Sequence, residues 1–293
     1  MADTEPFSAA EHFSAYAAKY EANTGGCTRE LARHVLDLSQ LQPMLADSAN
    51  VVILDNACGN GIVSEEIIRR CHANTIPRIY AADAAEGMVN IAKAKFAALD
   101  VPSDRVTAEV MRGESLNFPS GTFTHSITNL GILFYDDGVQ GVRELHRTLR
   151  PGGVAVVTSW EKFGYMAGAV HPAQRAARPH DAPVRLPIDE KWSDPAHIEQ
   201  IMKDGGFEEV EIQSRIVHWA GPNIRTLADM AAQSFMRLVK GLNEEEERVF
   251  KEALPHALER SAKHVTLVDG TPGVGVEMVA IVAICRKATE TQR

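Results

Sequence analysis

Cysteine is scarce in this chain of 293 residues, and the four that occur form no Cys-x-x-Cys pair. We therefore expect neither a metal site nor a disulfide framework, which is typical of a reducing, intracellular compartment. No stretch approaches the ~20 consecutive apolar residues of a membrane-spanning helix. The first 50 residues also lack the basic start and apolar stretch of a secretion signal. These absences predict a soluble, cytoplasmic protein with no membrane partner.

Basic residues are fewer than acidic ones: 30 Lys and Arg stand against 39 Asp and Glu, for a formal net charge of −9. This balance argues against nucleic acid as a partner, because binding to polyanions depends on clustered Lys and Arg. Apolar residues make up 45% of the chain, enough for a sizeable core. The length exceeds what a bare seven-stranded α/β sheet needs, so we expect an additional substrate cap.

The most informative segment is residues 51–61, Val-Val-Ile-Leu-Asp-Asn-Ala-Cys-Gly-Asn-Gly. A β-branched strand ends in Asp55 and leads into a turn with Gly59 and Gly61, which lets backbone approach a ligand closely. The helix that follows points its N-terminal amides at the same place. A dinucleotide fingerprint would have glycine or alanine where Ser64 stands. A carboxylate ahead of the glycines would repel a pyrophosphate but attract an ammonium group.

A second acid follows the next short apolar run, Ile79 to Ala82, at Asp83. An acid at the end of the second strand of such a unit typically binds ribose hydroxyls. The expected ligand therefore combines a ribose with a cation near Asp55. S-adenosylmethionine has both, an amino-acid ammonium at one end and adenosine at the other.

At this point the chain resembles the class I S-adenosylmethionine-dependent methyltransferases. The resemblance depends on three motifs in order: Leu-Asp-Asn-Ala-Cys-Gly-Asn-Gly at 54–61, Asp-Ala-Ala-Glu-Gly-Met at 83–88, and Leu-Arg-Pro-Gly-Gly at 149–153. It covers about residues 13–159 and the final strand pair. Within the class, the chain is similar to small-molecule methyltransferases of fungal secondary metabolism, including those that S-methylate dithiols. The resemblance implies a Rossmann-like α/β fold: a seven-stranded sheet with helices on both faces, plus a helical cap.

Strand patterns alternate with helical ones, as in a mainly parallel sheet. Helices are expected in a lid ahead of the sheet, with a break near Gly25, and again over 138–149, from Asp194 to Lys203, and within 227–264. Strands are predicted at 51–54, 79–82, 106–111, 122–130, 154–159, 210–218 and 276–285. The corresponding units are a lid (1–50), a cofactor-binding core (51–160), a substrate cap that includes strand six (161–275), and a last strand with a tail (276–293).

The resemblance also implies a cofactor site. Asp55 lies near the methionine ammonium, Asp83 binds the ribose, and the turn at 111–116 closes over the adenine. This turn departs from the family, because Arg112 stands where many members have an acid, which leaves the adenine contacts open. The full implied set is Tyr20, Asp55, Ala57, Cys58, Gly59, Gly61, Asp83, Ala84, Met88, Met111, Glu114, Ser115, Asn129 and Leu130. Tyr20, Met88 and Met111 are also consistent with plain core packing.

Methyl transfer from a sulfonium is a direct displacement, so alignment and exclusion of water contribute most of the rate. A base is needed only if the acceptor must lose a proton, and histidine is the usual one. The sequence does not choose among His171, His180, His218, His256 and His264, so no catalytic residue is assigned. Aromatic residues are better candidates for the acceptor wall: Phe134, Trp160, Phe163 and Tyr165, although Trp160 equally suits the core.

The sequence predicts an enzyme that transfers a methyl group from S-adenosylmethionine to an O, S or N atom of a small molecule. Two rivals use the same fold: an S-adenosylmethionine-binding enzyme that catalyses a rearrangement without methyl transfer, and a non-catalytic partner subunit. An NAD oxidoreductase is disfavoured by Asp55 and Ser64. The acceptor and the oligomeric state stay open.

Overall fold

A computed structural model describes residues 8–42, 50–71 and 75–289. Within them, eight strands form one sheet in the order β3-β2-β1-β4-β5-β8-β6, and a short β7 pairs with β8. The strands are β1 (Val52–Asn56), β2 (Arg78–Asp83), β3 (Val106–Val110), β4 (Phe123–Thr128), β5 (Leu149–Lys162), β6 (Glu209–Gly221), β7 (Lys263–Thr266) and β8 (Pro272–Arg286).

The first five strands run parallel, whereas β8 pairs antiparallel with both β5 and β6. Chain order reverses between β1 and β4, which pair with each other although β2 and β3 intervene in the sequence. In open α/β sheets a ligand binds outside the carboxyl ends of the strands at such a switch point. The predicted Rossmann-like methyltransferase sheet with an antiparallel edge is confirmed.

Helices flank this sheet and precede it. They are α1 (Ala9–Tyr16), α2 (Tyr20–Asn23), α3 (Cys27–Leu36), α4 (Ile62–Arg70), α5 (Glu86–Ala98), α6 (Gly138–Thr148), α7 (His171–Ala177), α8 (Pro195–Asp204), α9 (Ile224–Phe235) and α10 (Glu244–Ser261). Two of these helices have common N-terminal caps. Asp194 caps α8 ahead of Pro195, and Asn243 forms a capping box with Glu246 at the start of α10. The lid helices break at Gly25 as expected. Residues 1–7 and 43–49 of the predicted lid lie outside the described residues.

The core lies on both sides of β1, whose Ile53 and Leu54 are fully buried, as a strand covered on two faces requires. The first lid helices pack against the same core through α3, with Leu31 and Val35 buried one turn apart. The lid is therefore part of the folded unit, while the division into four units stays a prediction.

Several boundaries differ from the predicted ones, and three of the differences concern β7, β8 and β5. The helices predicted within 227–264 are present as α9 and α10, but the end of that range belongs to β7, a four-residue strand whose mostly exposed side chains gave no apolar signal. The last strand begins at Pro272 rather than Val276. Glycine weakens a strand in isolation, but here a Cβ on Gly273 would lie 2.7 Å from the Gly221 carbonyl oxygen of β6. Close backbone approach explains the glycine and the longer strand. The strand predicted from Val154 begins at Leu149, so the Pro-Gly-Gly turn lies within β5.

Two absences apply to the described residues alone. Over 8–42, 50–71 and 75–289, no helix is both long and apolar enough to cross a bilayer. In the same ranges, histidine, cysteine and acidic side chains form no group that could hold a metal ion.

Candidate cofactor site

A cavity of about 340 Å³ opens at the carboxyl ends of β1, β2 and β4, beneath α1. Its volume is within the range of small-molecule sites, about 300–1,000 Å³. Most of the residues implied as cofactor ligands meet here although they come from distant parts of the chain. They are Tyr20, Ala57, Gly59, Asp83, Ala84, Met88, Met111, Glu114, Asn129 and Leu130, joined by Phe134 from the acceptor set.

Other implied residues lie away from this lining. Among the cofactor set, Ser115 is exposed on the surface, and Cys58 is buried beside the glycine turn. The remaining residues outside the lining are Asp55, Gly61, Trp160, Phe163 and Tyr165. Their roles as ligand contacts therefore stay predictions.

The two glycines of the turn have different surroundings. Both have positive φ, +53° at Gly59 and +79° at Gly61. A Cβ on Gly59 would meet nothing within 4 Å and would enter the open cavity, whereas one on Gly61 would lie 2.9 Å from the Phe96 ring. Gly59 thus leaves room for a ligand, and Gly61 lets α4 and α5 pack closely.

Asp83 is fixed at the cavity wall by two backbone amides. Its Oδ2 accepts a hydrogen bond from the Gly59 amide and its Oδ1 accepts one from the Ala85 amide, each at 2.8 Å. Burial raises the pKa of Asp83, although both amide bonds act in the opposite direction. The carboxylate therefore holds the glycine turn in place while it faces the cavity.

Asp55 lies behind the turn and is fully buried. Its Oδ2 accepts hydrogen bonds from the Ser64 amide at 3.0 Å and from the Ser64 hydroxyl at 2.6 Å. Burial and, to a smaller extent, the charge of Asp83 together raise the pKa of Asp55 to about 7, against the effect of these bonds. Its Oδ1 is buried without a hydrogen-bond partner among the described residues.

The lid closes the side of the cavity next to α5. The Gly87 amide at the start of α5 donates to the Ser14 hydroxyl of α1 at 3.2 Å. A Cβ on Gly87 would lie 2.6 Å from the Ser14 carbonyl oxygen, so glycine is needed for this close approach. Phe13 of α1 packs edge-on against Phe134 at a centroid distance of 4.8 Å. The lid is thus seated directly on the site.

Two aromatic residues of the lining, Phe13 and Tyr135, were missed from the sequence. Nothing in the sequence indicated that the lid helix with Phe13 would cover the cavity. Tyr135 accepts a 2.7 Å hydrogen bond from Asn56, which itself follows Asp55 in the motif. Only the fold brings Tyr135 next to the end of β1.

The turn after β3 has its own polar arrangement. Glu114 accepts a 2.8 Å hydrogen bond from the Asp136 amide and lies 3.3 Å from the Arg112 guanidinium. The Glu114 carboxylate therefore reaches the cavity. The Arg112 side chain, two residues earlier in the turn, is largely exposed at the cavity rim.

The three distal aromatics pack among other core residues. Tyr165 stacks on Phe235 at 4.4 Å with an interplanar angle of 16°, and Phe163 bridges Tyr165 and Trp160. None of the candidate histidines lines the cavity. His171 contacts the Val184 carbonyl oxygen, His218 pairs with Glu30, His256 lies near Glu259, and His180 and His264 are exposed.

The sheet order and a cavity at its switch point define a Rossmann-like α/β fold with a cavity of ligand size. Residues 53–153 match the family described as the methyltransferase domain, which confirms the resemblance noted in the sequence. The domain implies S-adenosylmethionine as methyl donor.

Curated relatives come from fungi and from bacteria. Methyltransferase tpcH of Aspergillus fumigatus is 24% identical over 55% of this chain and 59% of its own length. The acetylaranotin bis-thiomethyltransferase of Aspergillus terreus is 24% identical over 55% and 56%. The matches thus span a little over half of each of these relatives. Among solved structures, the [4+2]-cyclase SpnF superposes with a TM-score of 0.55 over 96% of both chains at 16% identity, which shows a shared fold.

Proposed function

We propose that the chain transfers a methyl group from S-adenosylmethionine to a small organic acceptor. The supporting observation is that Asp83 and Gly59 lie together in one cavity wall. The Asp83 carboxylate accepts a hydrogen bond from the Gly59 amide, and the space that a Cβ on Gly59 would occupy is open. A cofactor with a ribose fits the carboxylate of Asp83, and its amino-acid end fits the space that a Cβ on residue 59 would fill. The unpartnered Oδ1 of Asp55 adds negative charge behind this end.

S-adenosylmethionine supplies an electrophilic methyl group on a sulfonium. The protein's residues bind, orient and exclude water. Asp83 positions the ribose, and Asn129 and Leu130 at the end of β4 form the wall beside the reactive end. Phe13, Tyr20 and Phe134 cover the cavity from the lid side. Correct alignment of a nucleophile and a leaving group can contribute about 7–11 kcal/mol to lowering a barrier.

The candidate bases that reach the cavity are carboxylates such as those of Asp83 and Glu114, which are weaker bases than a neutral histidine. Desolvation raises the pKa of Tyr20 to about 12, and no histidine of the described residues lines the cavity. We therefore expect an acceptor that loses its proton to solvent or needs to lose none. Thiols, with an ordinary pKa near 8.5, suit this requirement, as the name of the A. terreus relative suggests, while oxygen and nitrogen acceptors remain open.

Titration calorimetry with S-adenosylmethionine tests the cofactor. The intact chain is expected to bind, and Asp83→Ala to bind at least tenfold more weakly, about 1.4 kcal/mol. Asp104→Ala, at an exposed acid outside the cavity, is the matched control and should bind like the intact chain. Absence of binding to the intact chain would contradict the proposal.

Release of S-adenosylhomocysteine tests the reaction. Incubation with a panel of dithiols, phenols and amines should release it for at least one class of acceptor, with mass spectrometry locating the methyl group. Tight cofactor binding without any release would favour a rearrangement enzyme or a non-catalytic partner subunit over a methyltransferase.

A further inference from the structure

Thr158 lies in the middle of β5 and is fully buried, outside the cavity lining. Its hydroxyl nevertheless contacts two consecutive residues of that lining. It accepts a hydrogen bond from the Leu130 amide at 2.8 Å and lies 3.0 Å from Oδ1 of Asn129. A single side chain behind the site thus contacts both residues at the end of β4.

The chemistry of these contacts fixes the direction of each bond. The Leu130 amide can only donate, so it uses a lone pair of the hydroxyl, and the one hydroxyl proton is directed to Oδ1 of Asn129. The amide nitrogen of Asn129 then faces the other way and donates to the Thr28 carbonyl oxygen at 3.1 Å. Thr158 therefore orients Asn129 so that it holds the first turn of α3, a lid helix.

The backbone at Leu130 has a strained conformation. Leu130 has φ of +59°, a left-handed conformation that costs a residue with a side chain roughly 1–2 kcal/mol. Such conformations persist where surrounding contacts determine them. The bond from the Leu130 amide to Thr158 is one such contact, and it holds the wall of the cavity in this shape.

We infer that Thr158 is a positioning residue for methyl transfer. It sets the cavity wall at Leu130 and, through Asn129, fastens the lid to the end of β4. The inference rests on the proposed function for its link to the cofactor, while the link to the lid is independent of any ligand.

The test compares three variants. Thr158→Val removes the hydroxyl but keeps the shape, Thr158→Ser keeps the hydroxyl, and Thr148→Val makes the same change at another fully buried threonine, whose hydroxyl contacts carbonyl oxygens of α6. We expect Thr158→Val to bind S-adenosylmethionine about tenfold more weakly. Thr158→Ser should stay within about threefold of the intact chain, and Thr148→Val should bind unchanged.

Hydrogen exchange without cofactor provides a second measurement. Amides of Cys27–Leu36 should exchange faster in Thr158→Val than in the intact chain, Thr158→Ser or Thr148→Val. Equal exchange in all four proteins, or equal loss of binding in both valine variants, would overturn the inference. If the intact chain fails to bind cofactor, the proposed function falls, and the exchange measurement alone decides whether Thr158 fastens the lid.

Discussion

Ser64 donates two hydrogen bonds to one oxygen of Asp55, from its hydroxyl at 2.6 Å and from its amide at 3.0 Å. This pair accounts for the two positions at which the sequence departs from a dinucleotide fingerprint, the acid at Asp55 and the serine at Ser64. The residue that would be glycine or alanine there carries a hydroxyl here, and that hydroxyl holds an acid behind the glycine turn. A buried carboxylate is costly unless it is hydrogen-bonded, so the two residues depend on each other.

Ser64→Ala should therefore weaken both folding and cofactor binding. Removal of a hydrogen bond to a charged group costs about 1.5–3 kcal/mol, and the pKa of Asp55 should rise further, which leaves less of the anion at neutral pH. Chemical denaturation and calorimetry measure the two effects. Ser126→Ala is the control, because its hydroxyl is buried without a partner among the described residues. An equal loss of stability in both variants would contradict the role of the Ser64 hydroxyl.

The pKa of Asp55 predicts a pH dependence of folding. Burial raises this pKa from 3.8 to about 7. A raised pKa means that the folded state binds the proton more tightly, so this stabilisation is full below pH 3.8 and is lost as pH rises through 7. This contribution to the free energy of unfolding should fall between about pH 4 and pH 7 and level off above that range.

Asp55→Asn, which cannot ionise, separates this contribution from that of Asp83, whose pKa is also raised. Its free energy of unfolding should fall less steeply over the same range. Parallel pH profiles for the two proteins, measured by urea denaturation, would show that Asp55 does not titrate in this window.

Substitutions in the glycine turn can separate an effect on cofactor binding from an effect on the stability of the fold. Gly59→Ala and Gly61→Ala both introduce a Cβ at positive φ, as does Gly121→Ala, where nothing lies within 4 Å. All three should lose about 1–2 kcal/mol from the left-handed backbone. Gly61→Ala should lose a further 1–3 kcal/mol from overpacking against Phe96.

Gly59→Ala should instead weaken S-adenosylmethionine binding at least tenfold while its free energy of unfolding matches that of Gly121→Ala. Denaturation and calorimetry on the same three proteins provide both quantities. Full cofactor affinity in Gly59→Ala would show that the ligand does not occupy the space in front of the turn.

Much of this arrangement is readable from local patterns. The strand before Asp55 is a β-branched run with glycines after it, and the acid at Asp83 ends a second apolar run, so the ends of β1 and β2 could be placed at one edge of the sheet. Short exposed elements such as β7 have no such pattern, because their pairing with β8 comes from tertiary contacts.

The residues that support the site were harder to predict. Thr158 sits in an apolar strand, and its contact with Asn129 spans 29 positions. Tyr135 and Phe13 reach the cavity only through the packing of the lid and of the turn after β4. The aromatic pattern at Trp160 and Tyr165 predicted apolar surroundings, but a pattern of size and polarity does not distinguish a binding wall from core.

Ion pairs between the lid and the core could also not be predicted from local sequence patterns. The Arg29 guanidinium of α3 pairs with Glu21 of the lid and, at 2.7 Å each, with Glu65 and Glu66 of α4. Arg29 and both core acids are buried. Glu65 and Glu66 directly follow Ser64 in α4. Ion pairs therefore join the helix after the glycine turn to the lid.

Arg29→Met should destabilise the protein by about 3–5 kcal/mol, because removal of one partner leaves buried charges unpaired. Burial alone would raise the pKa of Glu65, but Arg29, Arg69 and Lys95 together lower it to about 2. Without Arg29 that pKa should rise toward its ordinary value. Denaturation and NMR titration of the glutamate carboxyl groups measure the two changes.

Arg248→Met is the control, since Arg248 pairs with Glu245 and Glu252 at the surface of α10. Exposed pairs contribute about 0–1 kcal/mol, so this variant should remain close to the intact chain. If Arg29→Met is no less stable than Arg248→Met, the buried network does not hold the lid against α4. Lid and core would then be joined mainly by apolar packing and by contacts such as the Asn129–Thr28 and Gly87–Ser14 hydrogen bonds.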